Sequence, residues 1–110
     1  MPSITEHRSS VGGPVTMTNS AASTPVIPYG RSGGGLMFVQ GATGGAATIS
    51  WYASTGAEDA KLPVVSGGSA LTTTVEVGKA YPLPDALFAA PFIAGVVNAG
   101  TLTVTIAVKG

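Results

Sequence analysis

The stretch GTLTVTIAVKG, residues 100–110, alternates without a break. Leu102, Val104, Ile106 and Val108 fall on one face of an extended strand, and Thr101, Thr103, Thr105 and Ala107 fall on the other. The same period of two returns along the chain. Val15 and Met17 oppose Thr16 and Thr18; Ala47, Ile49, Trp51 and Ala53 oppose Thr48, Ser50 and Tyr52. Leu71, Thr73, Val75 and Val77 oppose Thr72, Thr74 and Glu76. This alternation spreads apolar residues all round a helix and collects them on one side of a strand. No helical amphipathic pattern of a dozen residues occurs, and β-branched Val, Ile and Thr crowd the alternating segments.

Dense punctuation cuts these segments short. The 110 residues include 16 Gly and 8 Pro, concentrated in GRSGGG, GATGG, STGAED and SGGS, which read as turns and loops. GLMFVQ (residues 35–40) is apolar on both faces and suits a central strand. Asn98-Ala99-Gly100 predicts a three-residue hairpin loop between PFIAGVV and TLTVTIAV, with Gly100 in the left-handed region. PLPDALFAAP (residues 82–91) predicts about one helical turn, capped by Asp85, with Leu87 and Phe88 set against the core. The fold class is therefore all-β: an antiparallel β-sandwich or small jelly-roll-like barrel of about seven to eight strands. Residues 14–110 form that domain, and residues 1–13 read as an extended N-terminal arm followed by the Gly12-Gly13-Pro14 hinge.

Composition sharpens the problem of the outer faces. Hydrophobic residues make up 45% of the chain and charged residues only 9%, against roughly 25% in an ordinary soluble protein. Five basic and five acidic residues give a formal net charge of zero. Disorder requires low hydrophobicity with high net charge, and this chain has neither. Thr16, Thr18, Thr48, Thr72, Thr74, Thr101, Thr103 and Thr105 occupy outward positions where an isolated sheet would carry ions. Threonine fits a pleated surface and can be covered by another protein without the desolvation cost of an ion. Lack of a basic excess argues against nucleic acid as a partner, and no apolar stretch is long enough to suggest a membrane partner. Neither a disulfide framework nor a thiolate metal site is available, because cysteine is absent. The N-terminal MPSITEHRSSVGG has no apolar core of a secretory signal, so synthesis and assembly in the cytoplasm are expected.

Catalytic constellations find little support. His7 is the only histidine and lies in the arm, which disfavours a triad or a histidine-based metal site. Glu58 and Asp59 are adjacent, so their side chains diverge in any extended conformation; a weak Ca²⁺ contact is a lesser alternative to plain solvation. GRSGGG lacks the Lys-Ser/Thr of a phosphate loop. Trp51 shares its parity with Ile49 and belongs to the core, which leaves Tyr52 as a lone outward aromatic. No enzyme activity, cofactor or metal is expected. The candidate residues are instead for protein contact: Ile4, Glu6, His7 and Arg8 in the arm, Tyr29 and Arg31 around YGRSGGG, and Thr101, Thr103 and Thr105 of the last strand.

Two segments, TISWYASTG and GKAYPLPDALFAAPFIAGVVNAGTLTVTIAVKG, carry a family likeness over roughly residues 46 to 110. In these and in its Gly/Ala/Thr/Val-rich, cysteine-free composition the chain resembles the small decoration (cement) and minor head proteins of tailed bacteriophages. The resemblance implies a virion location, binding to the major capsid protein on the outer capsid, and self-association, often as trimers at local three-fold positions. It transfers no catalytic or ligand site. A carbohydrate- or receptor-binding β-sandwich of a phage tail or cell surface is the alternative from another class.

Overall fold

Indole needs space and a hydrogen-bond acceptor, and the fold supplies both to Trp51. It is 1% exposed, and its Nε1 donates to Thr73 Oγ1 at 2.9 Å. The computed structural model describes residues 9–11, 13–29, 35–87 and 90–109. Within them lie twelve strand segments: β1 (Ser9–Val11), β2 (Val15–Thr18), β3 (Ile27–Pro28), β4 (Gly35–Thr43), β5 (Thr48–Ser54), β6 (Leu62–Pro63), β7 (Val65–Ser66), β8 (Ser69–Ala70), β9 (Thr72–Thr74), β10 (Ala80–Pro82), β11 (Phe92–Val97) and β12 (Thr101–Lys109). A single 3-10 turn, Asp85–Leu87, interrupts them, with Leu87 fully buried.

Ten of these strands form two packed antiparallel sheets, and β7 and β8 pair with each other. The first runs β1-β12-β4-β10, with β2 also on β12; the second runs β3-β11-β5-β6, with β9 also on β5. The all-β sandwich expected from the alternation is the fold observed. Met17, Met37, Val39, Leu102, Val104 and Ile106 of the first sheet face Ile49, Trp51, Ile93 and Val97 of the second. Gly95 pairs with Trp51 across β11–β5, and a Cβ there would meet Met17 Sδ at 2.6 Å. Glycine at that point admits the methionine of the opposite sheet into the core. Each large side chain buried in this way contributes on the order of 1.5–3 kcal/mol.

One expectation is overturned. Asn98-Ala99-Gly100 does not close a hairpin: β11 pairs with β5 and β3, while β12 pairs with β4, β2 and β1, so the loop arches from one sheet to the other. The residues joining β4 to β5 make a second arch beside it. Two apolar faces connected by a short loop can be buried side by side in one sheet or across from each other, and alternation alone does not choose. Here the stacked arches decide. Asn98 Oδ1 accepts from the Ala47 and Thr48 backbone N–H groups at 2.9 Å, and its Nδ2 donates to Gly45 O at 3.3 Å. Gly100 is left-handed as expected, at φ +61°, and any Cβ would collide with the Thr43 carbonyl and the Gly44 Cα.

The count of twelve segments exceeds the expected seven to eight because two- and three-residue pairings carry no readable alternation. The second-sheet edge beside β5 is one such case. β6 and β9 flank a pinched-out β7–β8 hairpin whose Gly67 and Gly68 both have positive φ, so SGGS is the tip of a hairpin. Across the gap, Trp51 N donates to Leu71 O and Trp51 O accepts from Val64 N, which keeps the ladder continuous. The LTTTVEV strand stops at Thr74, and Val77, expected with the inward set, is 53% exposed beside Gly78 at φ +89°. Of the arm, residues 9–11 form β1 on β12, and residues 1–8 lie outside the described residues. Phe88 also lies outside them.

The Gly100→Ala variant is expected to lose about 2 kcal/mol or more, because it combines left-handed strain with a backbone clash. Gly13→Ala, with nothing within 4 Å of its Cβ, should stay within about 0.5 kcal/mol of the parent. Urea unfolding followed by Trp51 fluorescence measures both.

Candidate functional site

Charge placement distinguishes this sandwich from a solvated one. Among the described residues, Glu58, Asp59 and Lys61 lie between β5 and β6, Glu76 and Lys79 between β9 and β10, and Asp85 in the 3-10 turn; Lys109 is the last residue of β12. No described side chain on either outer sheet face is charged. The first sheet presents Thr101, Thr103, Thr105 and Ala107 from β12, paired in register with Thr43, Gly41, Phe38 and Leu36 of β4. Thr16 and Thr18 continue the rows on β2, opposite Thr103 and Thr101. Ala80 and Pro82 close the far side, opposite Phe38 and Leu36. The second sheet presents Thr48, Ser50 and Tyr52 from β5, with Thr74 and Thr72 alongside and Val96 opposite Ser50; Ala94, opposite Tyr52, is buried.

The threonines differ in what their hydroxyls do. Thr43 and Thr101 pair through their hydroxyls at 2.7 Å, and Thr105 Oγ1 donates to Gln40 Oε1 at 2.8 Å. Thr18 turns inward on its own loop, bonding Ser20 O at 3.0 Å and the Ser23 hydroxyl at 2.6 Å. Its place in the outward row is therefore structural. Thr103, at the middle of the face, makes no side-chain hydrogen bond with the described residues.

Leu36 and Phe38 were the residues that alternation did not single out. GLMFVQ is the central strand expected, but only its Met37 and Val39 face is buried; Leu36 is 38% exposed and Phe38 40%. They sit in phase with Gln40, which was the available signal that this side faces outward. The β4 bulge at Gln40, opposite Thr103/Val104, shifts that phase by one residue, so that beyond it Gly41 and Thr43 lie opposite Thr103 and Thr101.

Tyr29, expected as a contact residue, is corrected to a core position. It is 2% exposed, and its N–H donates to Pro91 O at 2.9 Å. Burial pushes its phenol above the ordinary 10.0, and the negative charge of Asp85 adds to the shift. Ile4, Glu6, His7, Arg8 and Arg31 lie outside the described residues. Of the loop charges, Lys61 Nζ donates to the Ala21 and Thr24 carbonyls and ties the 18–24 loop to the β5–β6 connection. Asp59 accepts from the Thr55 hydroxyl at 2.9 Å. Glu76 and Lys79 pair at 2.8 Å, which lowers the carboxyl pKa and raises the ammonium pKa; both are well exposed, so the pair adds little stability. The described His, Asp and Glu residues form no cluster of three or more able to hold a metal ion, and no described helix is long and apolar enough to cross a membrane.

No protein family, curated protein or solved structure matches this chain.

A phenol whose folded pKa is raised contributes stability that is complete below its unfolded value and is lost as pH rises through and beyond it. The parent should therefore lose stability between about pH 9 and about pH 11, and Tyr29→Phe should lose measurably less over the same interval. Guanidinium melts at the two pH values give the comparison.

Proposed function

We propose that this chain is a structural protein of a virion: a capsid decoration protein that binds the outer capsid surface and stabilises contacts between capsid subunits. The observation that carries the proposal is that no described side chain on the exterior of either sheet is charged, the described charged residues lying in loops, in a 3-10 turn and at a strand end. Covering such a face displaces water from hydroxyls and methyls and strands no ion, so contact carries little desolvation cost. Individually weak contacts then become strong by repetition over a lattice. The partners are the major capsid protein and further copies of this chain. The resemblance of residues 46 to 110 to phage head proteins supports the same reading, and its role is structural rather than enzymatic.

A second reading has one observation in its favour. On the outer face of the second sheet, Tyr52 and Phe92 stand on adjacent strands two register positions apart, flanked by Pro28 and Pro63. Aromatic and proline surfaces of this kind stack on sugar rings, as a receptor-binding module requires. Both aromatics are half-buried, which weakens that platform.

Co-sedimentation with purified heads built from the major capsid protein of the same genome tests the proposal. The parent chain should pellet with heads and raise their disruption temperature. Thr103→Lys or Thr74→Lys should lower occupancy at least about tenfold, since one desolvated ammonium costs more than 1.4 kcal/mol. A folded chain that never pellets with heads removes the proposal, and saturable binding to a glycan array that Tyr52→Ala abolishes installs the second reading.

A further inference from the structure

We propose that a second copy of this chain packs face to face on the outer surface of the first sheet, about a two-fold axis, with Leu36 and Phe38 at the centre. This deepens the self-association part of the reading above and rests on its premise that the sheet faces are covered.

Three observations carry it. Strand addition is blunted at several margins, because β3, β6 and β10 are edge strands and each contains a proline, at Pro28, Pro63 and Pro82. Growth by continuing the sheets is therefore disfavoured, and the faces remain. The two outer faces are also unequal. Leu36 and Phe38, the large apolar side chains most open on either face, lie together on the first sheet with Ala80, Pro82 and Ala107 around them. The hydroxyls of Thr103, Thr105 and Gln40's amide border that patch, giving an apolar centre with a polar, uncharged margin, the anatomy of a protein contact.

The third observation selects the occupant. A two-fold axis brings each residue of the face against the same set on its partner, so any ion on it would approach its like. The described side chains of this face include none, the one charged residue in its outward register, Lys109, being the terminal residue of β12, and they are complementary to themselves. With β12 and β4 of nine residues, β1 and β2 of three and four, and β10 of three, at about 4.8 by about 3.3 Å per residue the face covers about 440 Å² per copy, or about 900 Å² for the pair, the size of a weak, transient contact. Such a dimer is reversible and strengthened by locally high concentration.

Sedimentation velocity on the full chain between about 1 and about 500 µM tests this directly. A reversible species at twice the 10.8 kDa chain mass is expected. Phe38→Lys and Thr103→Lys should each raise the dissociation constant at least about tenfold. Thr72→Lys on the opposite sheet should change it less than about twofold. Raising salt from about 0.05 to about 0.5 M should not weaken the dimer, since no ion pair holds it. Near-ultraviolet dichroism of Trp51 reports folding, and if Phe38→Lys does not fold, Thr103→Lys decides. A monomer across the range, a trimer, or dissociation caused by Thr72→Lys alone overturns the inference. Dimerisation without head binding keeps this inference and removes the virion reading; head binding by a strict monomer does the reverse.

Discussion

The side-chain amide of Asn98 holds the two sheets in place. With its oxygen on the Ala47 and Thr48 N–H groups and its nitrogen on the Gly45 carbonyl, it staples the β11–β12 arch to the β4–β5 arch. The backbone repeats the link, since Asn98 N donates to Thr48 O at 3.0 Å. Gly100 and Gly44 let the two turns touch, because neither position has room for a Cβ. Once the arches are stacked, β4 lies beside β12 and β5 beside β11, and these pairs form the centres of the two sheets. Their apolar sides then face each other, and their threonine sides face out.

Everything proposed about partners follows from that orientation. A sandwich in water ordinarily places ions on its outer positions, where they remain hydrated and keep molecules apart. This one confines its described charges to loops, a 3-10 turn and a strand end, and covers the sheet exteriors with hydroxyls and methyls. Lys61 illustrates the division: its ammonium secures two loop carbonyls, a local structural task away from both faces. Prolines in several marginal strands limit sheet extension, so association is directed onto surfaces. Leu36 and Phe38 supply on one of these the apolar area that hydroxyls alone lack.

Several local features could be read directly. Trp51 and Ile49 share a parity, and both are buried; Met17 and Leu87 are where their patterns place them. Gly100 has the positive φ its position suggested. These are decided within a few residues, by the two-residue period of a strand or the steric freedom of glycine. Other features were beyond such reading. Tyr29 looked like a loop residue open to contact, yet its backbone bonds to the residue preceding β11 and its ring lies in the core. GLMFVQ looked buried on both sides, because hydrophobicity records what a residue prefers and leaves unstated whether a second layer is present to cover it.

The amino-acid order by itself determined which residues alternate, and hence the all-β class, the inward set and the scarcity of charge in the outward one. Only the tertiary structure decided that the last two long strands belong to different sheets, that the short edge segments pair at all, and that one face leaves Leu36 and Phe38 in the open. The reason is that alternation is a property of each strand alone, set by the geometry of its pleat. Pairing and layering depend on contacts such as Asn98 with Gly45, between residues separated by more than fifty positions in the chain, which no local pattern encodes.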